Sequence, residues 1–327
     1  MARVLITGAS GFVGSNLARA ALAWGHTVTG TYSSFPAAVP GTEPAHLDIT
    51  DGEECRRVIG TFRPDVVVHN AACAFLVCSV DPVFGRAVNA TGTANVVATA
   101  RTMGARLVYV STDFVFDGLR PHPSKYVEGD APGPVNEYGR FKLGGEEIVR
   151  DSGLPFLITR PARVFGVNWS VPLNSRVGAK EPWVRASSTY RLVARLRAGE
   201  YTGLPEHYYQ TPTCASEYSD LVFKLLERGL TGYYHIAAPG EGLHRRGFAQ
   251  LVARVMGLNE VLIGRCEPEE LGEICRLPQG VTIRLPANAA LDSRKVELDL
   301  GVRIASLAES LERFREEVRQ VEAAQQG

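Results

Sequence analysis

Tyr138 and Lys142 stand four residues apart in STDFVFDGLRPHPSKYVEGDAPGPVNEYGRFKLGGEE, the stretch from Ser111 to Glu147. Four residues are about one helical turn, so a phenol and an ammonium at this spacing share a face and can address a common site. A phenol ordinarily holds its proton to about pH 10, and a neighbouring positive charge and a helix N-terminus both favour the phenolate, which lowers that value. Tyr138 is therefore a candidate proton donor, against the alternative of a surface pair without a role. Only five of the 35 basic residues are lysine, and one of them is at position 142, where a compact, titratable ammonium differs chemically from a guanidinium. The same stretch carries two hydroxyls, Ser111 and Thr112, and an acidic loop with Glu128 and Asp130.

These groups need a scaffold, and the preceding sequence reads as one. RVLIT (3–7), then GASGFVG, then an apolar segment from Asn16 to Trp24 closed by Gly25 give a strand, a tight turn and a helix. Gly8, Gly11 and Gly14 let the backbone of that turn approach a pyrophosphate at the helix N-terminus. Further strands are expected at His26–Ser34, just before Asp48, in DVVVHNAACA, in RLVYVSTD, at Leu154–Gly166 until Pro161 ends regular pairing, and in TGYYHIAAP at 231–239. DPVFGRAVNATGTANVVATARTMG reads as one long helix in which Asn89, spaced for burial, needs polar partners. NEYGRFKLGGEEIVRDSG reads as another. Its Gly139, Gly144 and Gly145 each cost about 1 kcal/mol in a helix interior, which points to something packed close against them.

Ligands of open parallel sheets bind outside the carboxyl ends of the strands. Ser111, Thr112 and Asp113 fall at one such end, and Asn70, Ala71 and Ala72 at another. The end of the second strand has no Asp or Glu for a ribose 2′-hydroxyl, while Thr31, Ser33 and Ser34 offer hydroxyls to a 2′-phosphate, so NADP(H) is favoured and NAD(H) is the alternative. Asp48 suits either an adenine amino group or the N-cap of the next helix. Beyond Gly166 the periodicity breaks: the stretch from Asn168 to Glu200 reads as irregular and then as a helix from Ser188 to Ala198, and its tryptophan, asparagine and arginine make either a pocket for a nucleotide diphosphate or a solvated helix.

Composition removes several other classes. With 327 residues, 45% apolar and 21% charged, the chain suits a soluble globular protein, and 35 acidic against 35 basic residues give no reason to expect nucleic acid or an anionic membrane as partner. No apolar run reaches the roughly 18 residues of a membrane span, and the N-terminus meets its glycine turn too early for a signal peptide. The six cysteines form no CxxC pair and have no histidine at metal-ligand spacing, so a reduced cytoplasm and no metal site are expected.

TGASGFVG, the strand-ending HNAA, VNATGTANV and YGRFK together resemble the extended short-chain dehydrogenase/reductases across nearly the whole chain. STDFVFDG, YVEGDAPGPVNEYGRFKLGGEE, the later Pro212–Thr213 and GYYHIAAPG resemble the dTDP-4-dehydrorhamnose reductase branch. The resemblance implies an α/β fold: a doubly wound parallel sheet of Rossmann type over residues 1–166, with a returning segment near 210–237. A smaller, mixed C-terminal substrate-binding domain would comprise 167–209 and 238–327. It implies reduction of the 4-keto group of a nucleotide-linked deoxysugar, with Tyr138 giving the proton, Lys142 holding the nicotinamide ribose and lowering the tyrosine's pKa, and Thr112 bonding the substrate oxygen. Carried over motif by motif, the cofactor would contact Gly8, Ser10, Gly11, Phe12, Val13, Gly14, Tyr32, Ser33, Asp48, Ile49, Asn70, Ala71 and Ala72 besides Tyr138 and Lys142. The substrate would contact Asp113, Phe114, Glu128 and Arg163. Two positions depart from the branch: Phe114 where it has tyrosine, and Arg163 where it has tryptophan. A homodimer through the Tyr138 and Asn89 helices is common in the superfamily, and Gly144 with Gly145 would permit close helix approach. The competing readings are an epimerase or dehydratase that retains NAD, and a non-catalytic NADP-binding subunit like the regulatory partner of methionine adenosyltransferase.

Overall fold

The computed structural model describes residues 1–173, 187–267, 270, 278 and 280–326. Seven short segments become the strands of one sheet: β1 (Arg3–Thr7), β2 (Thr27–Tyr32), β3 (Glu43–His46), β4 (Val66–His69), β5 (Arg106–Val110), β6 (Phe156–Arg160) and β7 (Gly232–His235). All neighbours are parallel, in the order β7-β6-β5-β4-β1-β2-β3. The order reverses between β1 and β4, so the carboxyl ends of those strands flank a crevice at the switch point. Runs such as VVVH and RLVYV are apolar on both faces because helices cover both.

Among the described residues the α-helices are α1 (Phe12–Ala23), α2 (Gly52–Phe62), α3 (Phe75–Val80), α4 (Pro82–Arg86), α5 (Thr93–Thr102), α6 (Glu137–Arg150), α7 (Ser188–Arg197), α8 (Ala215–Glu227), α9 (Arg245–Met256), α10 (Arg294–Leu300) and α11 (Leu307–Gln326). Leu17, Ala18 and Ala21 of α1 and Val222, Phe223 and Leu226 of α8 pack with Val4, Ile6 and Val108 on one face of the sheet. Ile59 of α2, Val96 and Val97 of α5 and Val149 of α6 pack with Leu5, Val67 and Leu107 on the other. Val296, Leu300 and Ile304 join the first of these cores, although they fall in the stretch expected to form the smaller unit. The apolar faces of α7, α9 and α11 meet in a further cluster around Phe165, Phe248 and Phe314. Among the described residues no helix is long and apolar enough to cross a membrane.

Three local expectations change. The long helix expected over 81–104 is α4, a π-helical turn (Ala87–Gly92) and α5, and the π turn carries Asn89. Asp51, not Asp48, is the N-cap of α2, and its carboxylate accepts from the Glu53 and Glu54 amides at 2.8 and 3.1 Å. In α6 the Gly145 position is filled by the ring of Tyr109 on β5 and the Gly139 position by the Phe114 carbonyl, while Gly144 faces open space. The close partner of Gly145 is thus the chain's own sheet.

Candidate active site

The turn between β1 and α1 is tight because its glycines leave no alternative. Gly8 has φ +67, a conformation costly for residues with a Cβ, and a Cβ there would stand 2.9 Å from Ala71 Cα. Gly14 packs with its Cα facing the Gly8 carbonyl, so α1 begins at the turn itself. The Thr7 hydroxyl accepts from the Asn70 and Ala71 amides at 3.1 and 3.0 Å, which leaves its own proton for His69 Nδ1 at 2.8 Å. His69 Nε2 lies 3.0 Å from the Thr93 hydroxyl, and that hydroxyl donates to the Asn89 carbonyl. Burial, with Lys142 nearby, pushes His69 down to about 3, so the ring is neutral, with its proton on Nε2. Asn89 answers its requirement for partners: its side chain accepts from Cys73 N at 2.7 Å and donates to Cys73 O at 3.0 Å. These bonds lock the loop after β4 against β1. From the other side Asn168 and Ser170 donate to the Ser10 carbonyl at 3.3 and 2.9 Å. Positions 174–186, the rest of the irregular stretch, lie outside the described residues. A glycine turn free of side chains and opening on the N-terminus of α1 fits a dinucleotide diphosphate.

At the end of β2, Thr31 is buried and accepts from Gly8 N at 3.2 Å, so it orders the turn and is not available to a 2′-phosphate. Ser33 and Ser34 are exposed beyond Tyr32. The Asp48 carboxylate accepts from the amide and hydroxyl of Thr50 at 2.9 and 2.8 Å, and Ile49 beside it is buried.

A cleft of about 780 Å³ opens beside the carboxyl ends of the strands. Gly11, Phe12, Val13, Asn70 and Ala72 line it on the nucleotide side, and Thr112, Asp113, Phe114, Tyr138, Lys142 and Arg163 line it as well. Asn136 caps α6 by accepting from Gly139 N at 2.8 Å, which starts the helix so that Tyr138 and Lys142 both face the cleft. The Tyr138 ring meets Phe114 edge-on at 6.0 Å and Phe75 at 6.4 Å. Burial pushes its phenol well above the usual value; the charges of Asp113 and Cys78 add to this, and the Thr112 hydroxyl opposes it. The net shift is upward, opposite in direction to the lowering expected from Lys142. The ammonium, buried 4.0 Å over the Tyr109 ring, is itself pushed down to about 7 by desolvation, with Glu146 opposing. Thr112 donates its proton to Asp113 Oδ1 at 3.0 Å and accepts from Phe114 N at 3.2 Å.

Toward the substrate side, Asp113 is buried and rises to about 6, first through desolvation, with bonds from Gln210 and Thr112 opposing. Gln210 donates to the second Asp113 oxygen and accepts from Arg163 Nη2 at 2.6 Å. Glu128 is not brought to the cleft: its carboxylate accepts from His235 N at 2.9 Å and ties the acidic loop to β7. Asp130 pairs with Arg120 and accepts from Val127 N at 2.7 Å, which orders the same loop.

Residues 2–320 match the model of the family described as RmlD substrate binding domain. The chain belongs to this family. Its members are dTDP-4-dehydrorhamnose reductase-like extended short-chain dehydrogenase/reductases, NAD(P)-dependent oxidoreductases, and this chain is one of them. A probable low-salt glycan biosynthesis reductase, Agl14, of Haloferax volcanii is 30% identical over 308 residues, 94% of this chain and 95% of that one. The dTDP-4-dehydrorhamnose reductase of Burkholderia thailandensis is 28% identical over 317 residues, 92% and 94% of the two chains. Among solved structures, dTDP-4-dehydrorhamnose reductase from Bacillus anthracis, in complex with NADP, shares the fold at a TM-score of 0.78 and 24% identity, over 97% of this chain and 99% of that one.

Three residues of this RmlD-family site escape sequence reasoning. Gln210 and Arg245 come from stretches without periodicity, and Cys73 reaches the cleft only because Asn89 holds its backbone. The Asn89 pattern was the one available signal, since a buried amide demands partners. The buried Lys142 carries a testable consequence. Its proton affinity is lower in the folded chain than the unfolded value of 10.5, so below pH 7 both states are charged and the folded state bears the full burial penalty. As pH rises through about 7 the folded state releases its proton first, and stability rises toward 10.5. Lys142→Met is therefore expected to raise unfolding stability by about 1–3 kcal/mol at acidic pH, with the gain shrinking at alkaline pH. Denaturant titrations on either side of pH 7 check it; a Met variant less stable than the parent on the acid side contradicts it.

Proposed function

We propose that the protein is an NADPH-dependent reductase of the 4-keto group of a nucleotide-linked deoxysugar, with Tyr138 as the proton donor. The observation that carries this is the convergence of Thr112, Tyr138 and Lys142 on one cleft with the glycine turn. When bound, the nicotinamide supplies the hydride. Gly8, Gly11 and Gly14 would accommodate the diphosphate, and Asn70, Ala71 and Ala72 would border the cofactor at the end of β4. Ser33 and Ser34, exposed with no carboxylate beside them at the end of β2, support a 2′-phosphate and hence NADPH. Tyr138, a phenol that burial keeps further above neutral pH than usual, is protonated and so in the state a donor to the new alkoxide requires. Phe114 and Phe75 hold its ring, and the Thr112–Asp113 pair borders the oxygen.

The direct test is NADPH oxidation with a dTDP-linked 4-keto-6-deoxyhexose. Stoichiometric oxidation with formation of the 4-hydroxy sugar supports the reading. Turnover without net cofactor consumption, with NAD retained through purification, would instead make the protein an epimerase or dehydratase. A non-catalytic reading has its own observation: the mouse methionine adenosyltransferase 2 subunit beta is 36% identical over 167 residues, 50% of this chain and 47% of that one. Absence of turnover with every 4-keto sugar tried, together with co-purification of a second protein, would favour it.

A further inference from the structure

The loop after β4 and the helix that follows it carry a pair of thiols that the proposed reduction does not use. Cys73 lines the cleft, and Cys78 of α3 is fully buried behind it. The first turn of α3 folds the chain back, because Cys78 N donates to Ala74 O at 3.0 Å. The Cys78 thiol thereby reaches the Cys73 carbonyl at 3.6 Å, and the two thiols share a hydrogen bond. Asn89 holds both residues: its amide nitrogen lies 3.0 Å from Cys73 O and 3.4 Å from Cys78 Sγ, while its Oδ1 accepts from Cys73 N at 2.7 Å. On the far side stands Gly85 of α4, where a Cβ would lie 2.8 Å from Cys78 Sγ, so that helix packs directly on the sulfur. Both sulfurs are near enough to the Tyr138 phenol to act on its proton.

The bond between the thiols also divides their chemistry. It lowers the proton affinity of Cys73, which burial opposes, and raises that of Cys78, which burial reinforces. Cys55 and Cys214 are both pushed up, first by burial. The thiolate is the nucleophilic form of cysteine, so Cys73, open to small solutes through the cleft, is the attacking sulfur and Cys78 the partner that keeps its proton.

We propose that Cys73 and Cys78 form a peroxide-sensitive dithiol site, and that closing their disulfide stops turnover at the neighbouring phenol. Cys73, as the thiolate, attacks one oxygen of a hydroperoxide. An S–O bond forms, the O–O bond breaks, and the leaving oxygen takes a proton and departs as water or an alcohol. The Cys78 thiol then attacks the sulfenic sulfur; the S–S bond forms, the S–O bond breaks, and the departing hydroxide takes the Cys78 proton and leaves as water. Together the two sulfurs lose two electrons, which the peroxide accepts. Phe75 lies in the chain between the two cysteines, and its ring meets Phe114 at 5.2 Å and Tyr138 at 6.4 Å. Drawing the sulfurs to a bond length of about 2 Å takes Cys78 off the Asn89 amide and turns the residues between, so the support of the Tyr138 ring changes with the redox state.

The test treats the reduced, full-length protein with a small excess of hydrogen peroxide, alkylates the remaining thiols and weighs the tryptic peptide that carries both cysteines. In the wild type this peptide is expected to escape alkylation and to lack two hydrogens before Cys55 and Cys214 lose their thiols, and dithiothreitol reverses the change. Cys78→Ser is expected to stop at the sulfenic acid of Cys73, which dimedone traps, and Cys73→Ser to keep Cys78 as a free thiol. Each variant is compared with its own reduced state and checked for an unchanged melting transition, so two independent variants separate lost chemistry from lost folding. In parallel, NADPH oxidation with the 4-keto sugar is expected to fall about 10- to 100-fold in the oxidised wild type and to return with dithiothreitol, the loss that a displacement of about 1 Å at a reacting group brings. A wild-type peptide that still takes two alkyl groups overturns the site, and a mapped disulfide with unchanged turnover overturns its effect on the phenol. The effect on turnover rests on the 4-keto reading, but the disulfide is weighed without turnover, so a reduced protein that is inactive on every keto sugar sinks that reading and leaves the mass result to decide the site.

Discussion

Tyr138→Phe lowers kcat by about 10²–10⁴-fold, the span that a positioned general acid contributes, and leaves NADP(H) affinity and melting temperature near the parent values. The substitution removes one oxygen and keeps the ring that packs edge-on against Phe114 at 6.0 Å and Phe75 at 6.4 Å, so it probes proton transfer and not packing. The phenol is held in its protonated form by burial first and by the Asp113 charge second. The reductive reaction of the wild-type protein should therefore lose no donor through the neutral range. Steady-state kinetics with fluorescence titration of NADPH separate the two effects, and turnover of the Phe variant within ten-fold of the parent would remove Tyr138 from the mechanism. Asp113→Asn is the companion experiment. Its neutral amide takes away the charge that holds the proton on Tyr138, so the phenol of that variant becomes more acidic than in the parent.

What could be read in the sequence follows the range over which each signal acts. Strands buried on both faces are written as continuous apolar runs, and RVLIT, VVVH and RLVYV became β1, β4 and β5. The pairing of Tyr138 with Lys142 depends only on helical spacing, so both could be found before any tertiary contact was known. Side chains with several uses were harder. Thr31 looked available to a phosphate because its bond to Gly8 N crosses from another strand, and Asp48 looked like a cap although Asp51, three residues later, does that work. The glycines of α6 signalled close packing, but nothing local said that the Tyr109 ring fills the place of Gly145. Glu128 could be assigned to the right loop and not to the right neighbour, because β7, which its carboxylate meets, lies more than a hundred residues downstream. Gln210 had no signal at all. Its value comes from joining Asp113 to Arg163, two residues fifty positions apart from each other.

Glu146→Ala is expected to destabilise the fold by about 3–5 kcal/mol, the largest stability loss that any single change near the site should produce. Glu146 and Arg160 are almost fully buried, and the carboxylate takes Arg160 Nε at 2.8 Å and Nη2 at 2.6 Å in a bidentate pair. Ser111 donates to the same carboxylate at 2.5 Å, which ties the end of β5 to α6 just before Thr112. Arg160 also lies 5.1 Å over the Phe116 ring and 5.0 Å from that of Tyr233, so it cannot swing out to water when its partner is removed. An unpaired guanidinium in that position accounts for most of the loss. The pair acts on the reaction site as well, because Glu146 is the first influence that opposes desolvation of the Lys142 ammonium one turn earlier. Its removal drives Lys142 further toward the neutral amine and shifts any activity limb due to that group to lower pH. Glu146→Ala combined with Arg160→Met separates the two roles. Replacing both charges by apolar groups should recover much of the stability while the shifted pH profile remains. A single Glu146→Ala variant within 1 kcal/mol of the parent in urea titration would show that Arg160 finds water in the folded protein; in that case the pair does not anchor α6 to β6.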